Sequence, residues 1–192
     1  MDRTAASDEE LALALQAGDD QAFEELVRRH QGRLYAVAYR YTSNREDALD
    51  VAQDALIKAY RKIDSWRPSG GFVPWLMRLA VNQAIDHLRR HKRHRHVDLD
   101  ETYATGDGSS TIEPRIEDTA QQVAANEIEE RVQRALVVLS PSQRAVFIMR
   151  HYEGLQLAEI AEALGCTVGS VKVHLFRALR KLQVELRDLY EE

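Results

Sequence analysis

LQLAEIAEALGCTVGSVKVHLFRALRKL, residues 155–182, is the stretch that decides the fold. Leu157, Ile160, Ala161 and Leu164 fall at helical spacing and make one face of a short helix. Gly165 can adopt the positive φ of a helix C-cap. Thr167 offers a hydroxyl to the first turn of a second helix. In that helix Val171, Leu175, Ala178 and Leu182 are spaced four, three and four apart, which is the pattern of a buried stripe. At about 100° per residue, Val173, Arg177 and Arg180 lie opposite the stripe, with Ser170 and Lys172 flanking them. His174 sits at the edge of the stripe. Two short helices around a glycine turn, the second with a basic outer face, describe a DNA-reading helix-turn-helix. The alternative is a plain helical hairpin with a solvated basic face; cap, turn and charge together favour the DNA reading.

Upstream, the helical period continues. The pattern Ile128, Val132, Leu136, Leu139 predicts a helix over 126–139. Ser140-Pro141 starts another, with Pro141 at its first position. It carries Val146, Phe147 and Met149 and ends near Glu153-Gly154. Residues 97–122 have no period, a Gly-Asp-Gly-Ser-Ser centre and many acids, and read as a flexible linker. Before the linker, residues 8–17 predict a short helix, and a second begins at Gln21. Residues 45–63 are strongly amphipathic through Ala48, Val51, Ala52, Ala55, Ala59 and Ile63. Asp64–Gly71 is a loop. Pro74 then suits the first turn of a helix that buries Leu76, Leu79, Ala80, Ala84 and Leu88 and runs out into a basic stretch. The expected fold is all-α. Two small helical domains, residues 8–96 and 123–192, are joined by the acidic segment 97–122.

Hydrophobic residues make up 44 % of the 192 residues and aromatics 7 %, which suits a helical core better than a β-sandwich. Cys166, the sole cysteine, excludes an internal disulfide and is expected as a small buried residue in a reducing compartment. No apolar run approaches the length of a membrane span, and a cytoplasmic location is expected. The net charge of −5 opposes nucleic-acid binding until its distribution is seen. Residues 65–96 carry seven basic groups against one acid, whereas residues 97–130 carry one against ten. The first attracts phosphate, and the second can suppress loose binding. His87, His91 and His94 stand four and three apart, a spacing able to hold a metal. Only Asp86 joins them, however, and five adjacent cations oppose a divalent ion, so no metal site is expected. No Walker motif, nucleophile–base pair or paired catalytic carboxylates occur. The chain is expected to have no catalytic residue and no cofactor.

At this point the residues carry a resemblance. LSPSQRAVFIMRHYEGLQLAEIAEALGCTVGSVKVHLFRALRKL, residues 139–182, resembles the fourth conserved region of bacterial RNA polymerase sigma factors. AFEELVRRHQGRLYAVAYRYTSNREDALDVAQDALIKAYRKI (22–63) and FVPWLMRLAVNQAIDHLRR (72–90) resemble their second region. The order, with a linker and no third domain between, is that of the extracytoplasmic-function (ECF) class.

The resemblance implies a non-enzymatic subunit that directs core polymerase to promoters and helps to melt them, with partners on the β′ clamp helices, the β subunit and promoter DNA. It also implies a family-typical anti-sigma factor and no membrane insertion. By this resemblance Asp50, Gln53 and Asp54 dock on the clamp. Trp66, Arg67, Asn82, Arg89, Arg90, Lys92 and Arg93 hold the minus-ten strand, with Trp66 as the loop aromatic that stacks bases and Trp75 as core. Ser170, Lys172, Val173, His174, Arg177 and Arg180 meet the minus-thirty-five duplex. Departures occur at Leu56, where an aromatic is common, at Val173 and His174, and at Gln156, which replaces a Ser/Thr cap. For the linker two roles stay open, a polyanion mimic inside polymerase channels and a solubilising spacer. A free-standing helix-turn-helix regulator is the competing reading of the whole chain, and a metal-dependent hydrolase built on the histidine cluster is a third.

Overall fold

The computed structural model describes residues 3–97, 128 and 130–187, with side chains as far as His91 in the first stretch. The expected linker and the side chains of Lys92, Arg93 and His94 lie outside the described residues. Among those residues there is no strand.

The first half is built from α1 (Asp8–Gln16), α2 (Asp20–Thr42), α3 (Arg45–Arg61) and α4 (Phe72–Val97). Ser7 opens α1 with a reciprocal cap: its Oγ accepts from Glu10 N at 3.2 Å, and Glu10 Oε2 accepts from Ser7 N at 2.7 Å. Ser43 closes α2 in the left-handed region at φ 55°, and Asn44 Oδ1 caps α3 by accepting from Asp47 N at 3.1 Å. The alanine-rich stripe of α3 is buried, and its small side chains let α2 and α4 approach closely.

Helix α3 ends at Arg61, two residues before the expected end, because Ile63–Ser65 tightens into a 3₁₀ turn. A second such turn, Pro68–Gly70, occupies the expected loop. Gly71 has φ 68°, and α4 starts at Phe72, so Pro74 falls inside its first turn. The earlier start has a tertiary cause: Phe72 N donates to Glu9 Oε1 of α1 at 3.0 Å. Trp75, Leu76, Leu79, Ala80 and Ala84 are buried as the pattern predicted, and Leu88 is half-buried.

The second half comprises α5 (residues 130–136), α6 (Pro141–His151), α7 (Leu157–Leu164) and α8 (Val168–Glu185). Ser140 and Gln143 form a capping box for α6. Gly165 takes φ 64° at the end of α7, and Thr167 Oγ1 accepts from Ser170 N at 3.1 Å at the start of α8. Gln156 stands where a hydroxyl cap was missed. The gap is covered by Glu159, whose carboxylate accepts from Gln156 N at 2.6 Å.

The two halves pack together. One buried hydrophobic cluster runs from Leu11 in α1 through Leu76 in α4 to Ile160 and Val171 in the second half. Arg33 Nε of α2 donates to Glu153 Oε2 at 2.8 Å, and Gln133 Nε2 donates to Tyr39 O at 2.7 Å. The Arg40 guanidinium lies 3.7 Å from the centre of the Tyr152 ring, and the buried Arg144 donates to the Arg40 carbonyl. Burial pushes the Arg144 pKa below its ordinary value. Gly70 abuts α7 so closely that an added Cβ would meet Glu162 Oε1 at 2.5 Å.

Candidate nucleic-acid and docking surfaces

Asp50, Gln53 and Asp54 recur along α3 on the side away from its alanine stripe, and all three are exposed. This edge is braced by a residue that the sequence reading missed. Gln83 of α4 donates from Nε2 to Asp54 Oδ2 at 2.8 Å and accepts from Lys58 Nζ at 3.1 Å. The amide thus bridges an acid and a base one helical turn apart and sets the register of α3 on α4. Nothing local in the pattern distinguishes Gln83 from an ordinary surface amide.

The outer face of α4 presents Asn82, Arg89 and Arg90, all exposed. Arg89 Nη1 lies 3.8 Å from Asp86 Oδ1. The backbone of Lys92 and Arg93 continues the same helix. Arg67, exposed in the loop, donates to the Asp64 carbonyl at 2.6 Å and the Trp66 carbonyl at 2.8 Å, which fixes the start of its side chain beside the turn.

Trp66 departs from expectation. Its side chain is 1 % exposed, its Nε1 donates to Gly71 O at 3.1 Å, and its ring meets Phe72 edge-on at 6.0 Å. Gln16 of α1 donates to the carbonyls of Ile63 and Trp66, pinning the same segment. The ring is spent on the core and cannot stack a base in this conformation. Trp75 is in the core as expected.

In the helix-turn-helix, α8 buries Val171, Ala178 and Leu182 and half-buries Leu175. Lys172, Val173, Arg177 and Arg180 are exposed, and Ser170 and His174 are half-buried. Arg180 leans over the Phe176 ring at 5.8 Å. Lys172 and Arg177 have no ion-pair or hydrogen-bond partner among the described residues, so their charge is available for phosphate or base edges. Cys166 is exposed in the turn between α7 and α8 rather than buried, because Gly165 turns the chain outward there.

Among the described residues one group of side chains could hold a metal: Asp47 of α3 with His87 and His91 of α4. The sequence reading had grouped those histidines with Asp86 and His94 instead. Among the described residues no helix is long and apolar enough to cross a membrane.

The geometry can be set beside known proteins. The family model for sigma-70 region 2 matches residues 26–94, and that for sigma-70 region 4 matches residues 129–182. The RNA polymerase sigma-H factor of Pseudomonas aeruginosa is 33 % identical over 192 residues, covering 98 % of each chain. The ECF RNA polymerase sigma factor SigM of Mycobacterium tuberculosis is 36 % identical over 92 % of this chain and 83 % of its own. Among solved structures, the sigma factor RpoE of Bartonella quintana, in complex with the anti-sigma factor NepR, superposes with a TM-score of 0.64. It is 26 % identical and matches 86 % of this chain and 96 % of its own.

Proposed function

The chain belongs to the ECF class of RNA polymerase sigma factors, and on that premise we propose that it initiates transcription through three surfaces of its own. Sigma factors are DNA-binding initiation factors; the polymerase performs the chemistry. The edge Asp50, Gln53 and Asp54 docks on the clamp helices of core polymerase, where an acidic rim can meet a basic partner. The face of α4 with Asn82, Arg89 and Arg90, extended by Lys92 and Arg93 and joined by Arg67, holds the melted minus-ten strand. An amide there can pair with a base edge while the arginines neutralise phosphate. Ser170, Lys172, Val173, His174, Arg177 and Arg180 meet the minus-thirty-five duplex through the outer side of α8. An anti-sigma partner is supported by the RpoE–NepR complex, which has the same fold over most of this chain.

One observation carries this reading. The Asp50–Gln53–Asp54 edge and the Asn82 face are both solvent-facing and lie on two helices that Gln83 locks in register. A docking surface and a strand-holding surface are therefore rigidly coupled, as a promoter-melting subunit requires.

The test is reconstitution. Purified core polymerase is incubated with the chain and a randomised promoter library, and transcripts are sequenced. The expected result is capture of core by the chain and start sites positioned downstream of paired upstream and minus-ten elements. Capture without specific start sites removes the promoter assignment. Absence of both removes the proposal.

A further inference from the structure

Asp47 sits in the first turn of α3, and His87 and His91 lie one turn apart on α4, on the side that faces it. His87 Nε2 is 3.2 Å from Asp47 Oδ1, His91 Nε2 is 3.8 Å from the same oxygen, and the two imidazole rings are 4.3 Å apart. All three ligand atoms fall within 4.8 Å of one another. His87 Nε2 is shut off from solvent and makes no hydrogen bond, despite the nearby carboxylate. A buried ring nitrogen beside a carboxylate, with no aligned hydrogen bond between them, leaves a position that a metal ion bound to both would satisfy.

We propose that Asp47, His87 and His91 form a zinc-type divalent metal site, with water as the remaining ligand. Two imidazoles and a carboxylate are the donor set that suits zinc and its nickel and copper neighbours. With bonds of about 2.0–2.1 Å, tetrahedral ligands stand about 3.3 Å apart. The His87–Asp47 separation already meets this spacing. His91, at 61 % exposure, has the rotamer freedom to close the remaining few tenths of an ångström.

The charge balance also permits a cation. The five cations that oppose a metal are neighbours of the histidines along the chain. Among the described residues the hollow beside the histidines is lined by Asp50 and Asp54 of α3 and by one cation, Arg90. Arg89 is turned toward Asp86. Among the described residues that line this hollow, the acids Asp50 and Asp54 outnumber the base Arg90, and they offset part of the divalent charge. The ion would clamp the first turn of α3 to α4, the two helices that carry the proposed docking and strand-holding faces. The metal site itself stands on its own geometry and does not depend on those assignments.

The experiment uses the full chain. Cobalt(II), a spectroscopic stand-in for zinc, is titrated in and its visible d–d bands are followed; zinc is then added as competitor. The expected result is uptake of one ion per chain, four-coordinate cobalt bands, and their loss on zinc addition. His91→Ala and Asp47→Asn each lower affinity by at least about tenfold, since even outer partners of metal ligands matter by that factor. Circular dichroism of both variants should match the parent, because neither residue is in the core. His94→Ala leaves binding unchanged. The proposal fails if the parent takes up no stoichiometric ion, or if both ligand variants bind like it. It also fails if His94→Ala alone abolishes binding, which would place the metal on a histidine run along one helix.

Discussion

Trp66 stands in a stretch, DSWRPSGG, whose Pro, Ser and Gly residues announce a loop, and a loop aromatic beside a basic segment invites a stacking role. The structure gives it another use. Its burial depends on Gln16, Gly71 and Phe72, and only Phe72 has an apolar side chain that local patterning registers. Trp66→Ala is therefore expected to lower the unfolding free energy by about 3–5 kcal/mol, the usual cost of emptying a large aromatic site. Urea unfolding followed by far-ultraviolet dichroism reads this directly. A loss of under about 1 kcal/mol would return Trp66 to the surface. Cys166 shows the converse error: a lone small thiol in a turn reads as buried, yet it follows Gly165, which takes positive φ, and is exposed. Glu25 shows a residue whose role the pattern did not reveal at all. Hydrogen bonds from Arg28 and then Arg29 hold its carboxyl down to about 2, from an ordinary 4.5. Because the folded value is depressed, its stabilisation is complete above pH 4.5 and is lost as pH falls toward 2. Denaturation midpoints across that window should decline more steeply for the parent than for Glu25→Gln. Parallel declines would show that the Arg28–Glu25–Arg29 cluster contributes nothing through ionisation.

At the level of elements the period of apolar residues was the reliable signal, because helix faces are set by nearest turns. The stripes of α3, α4 and α8 are buried largely where the spacing put them. Helix ends were less legible: α4 starts early because Glu9, 63 residues away, caps it, and α7 is capped by its own Glu159. The proposed docking edge lies on the exposed side of α3, so Asp54→Lys should leave the helix intact while replacing an acid proposed to meet the polymerase. Association with core polymerase, measured by fluorescence anisotropy, should weaken by about tenfold or more, roughly 1.4 kcal/mol. Unchanged affinity with an unchanged dichroism spectrum would remove α3 from the docking surface. For α8, Arg177 is exposed and unpartnered among the described residues, so Arg177→Ala should weaken binding to the upstream duplex. A phosphate contact predicts uniform weakening and a salt slope lower by about one, whereas a base contact predicts a change at one position costing about 1–3 kcal/mol. A binding series across single-base variants and two salt concentrations distinguishes these. If neither change occurs, the outer face of α8 does not read DNA.

At the scale of the whole molecule, the two halves were visible in the sequence, but their packing was not. Pattern rules act over a few turns, whereas Arg33 and Glu153 are 120 residues apart. The Arg33–Glu153 pair and the Arg40–Tyr152 stack hold the second half against α2, and the approach of Gly70 to Glu162 holds it against the loop before α4. The proposed strand-holding and upstream surfaces lie on different halves, so engaging two separate DNA elements is expected to open the packing. Glu153 is the sensitive point: it is 5 % exposed, and its carboxylate is matched by Arg33, itself 40 % exposed. Glu153→Arg would set two guanidinium groups against each other at the seam. The lone exposed Cys166 gives one spin-label position, and Gln31→Cys, on an exposed turn of α2, gives the second. Pulsed dipolar spectroscopy should show a longer and broader distance distribution for Glu153→Arg than for the parent. Adding Arg33→Glu, which restores opposite charges with exchanged positions, should bring the short distance back. If Glu153→Arg leaves the distribution unchanged, the seam is held by its apolar contacts, and the ion pair only decorates it.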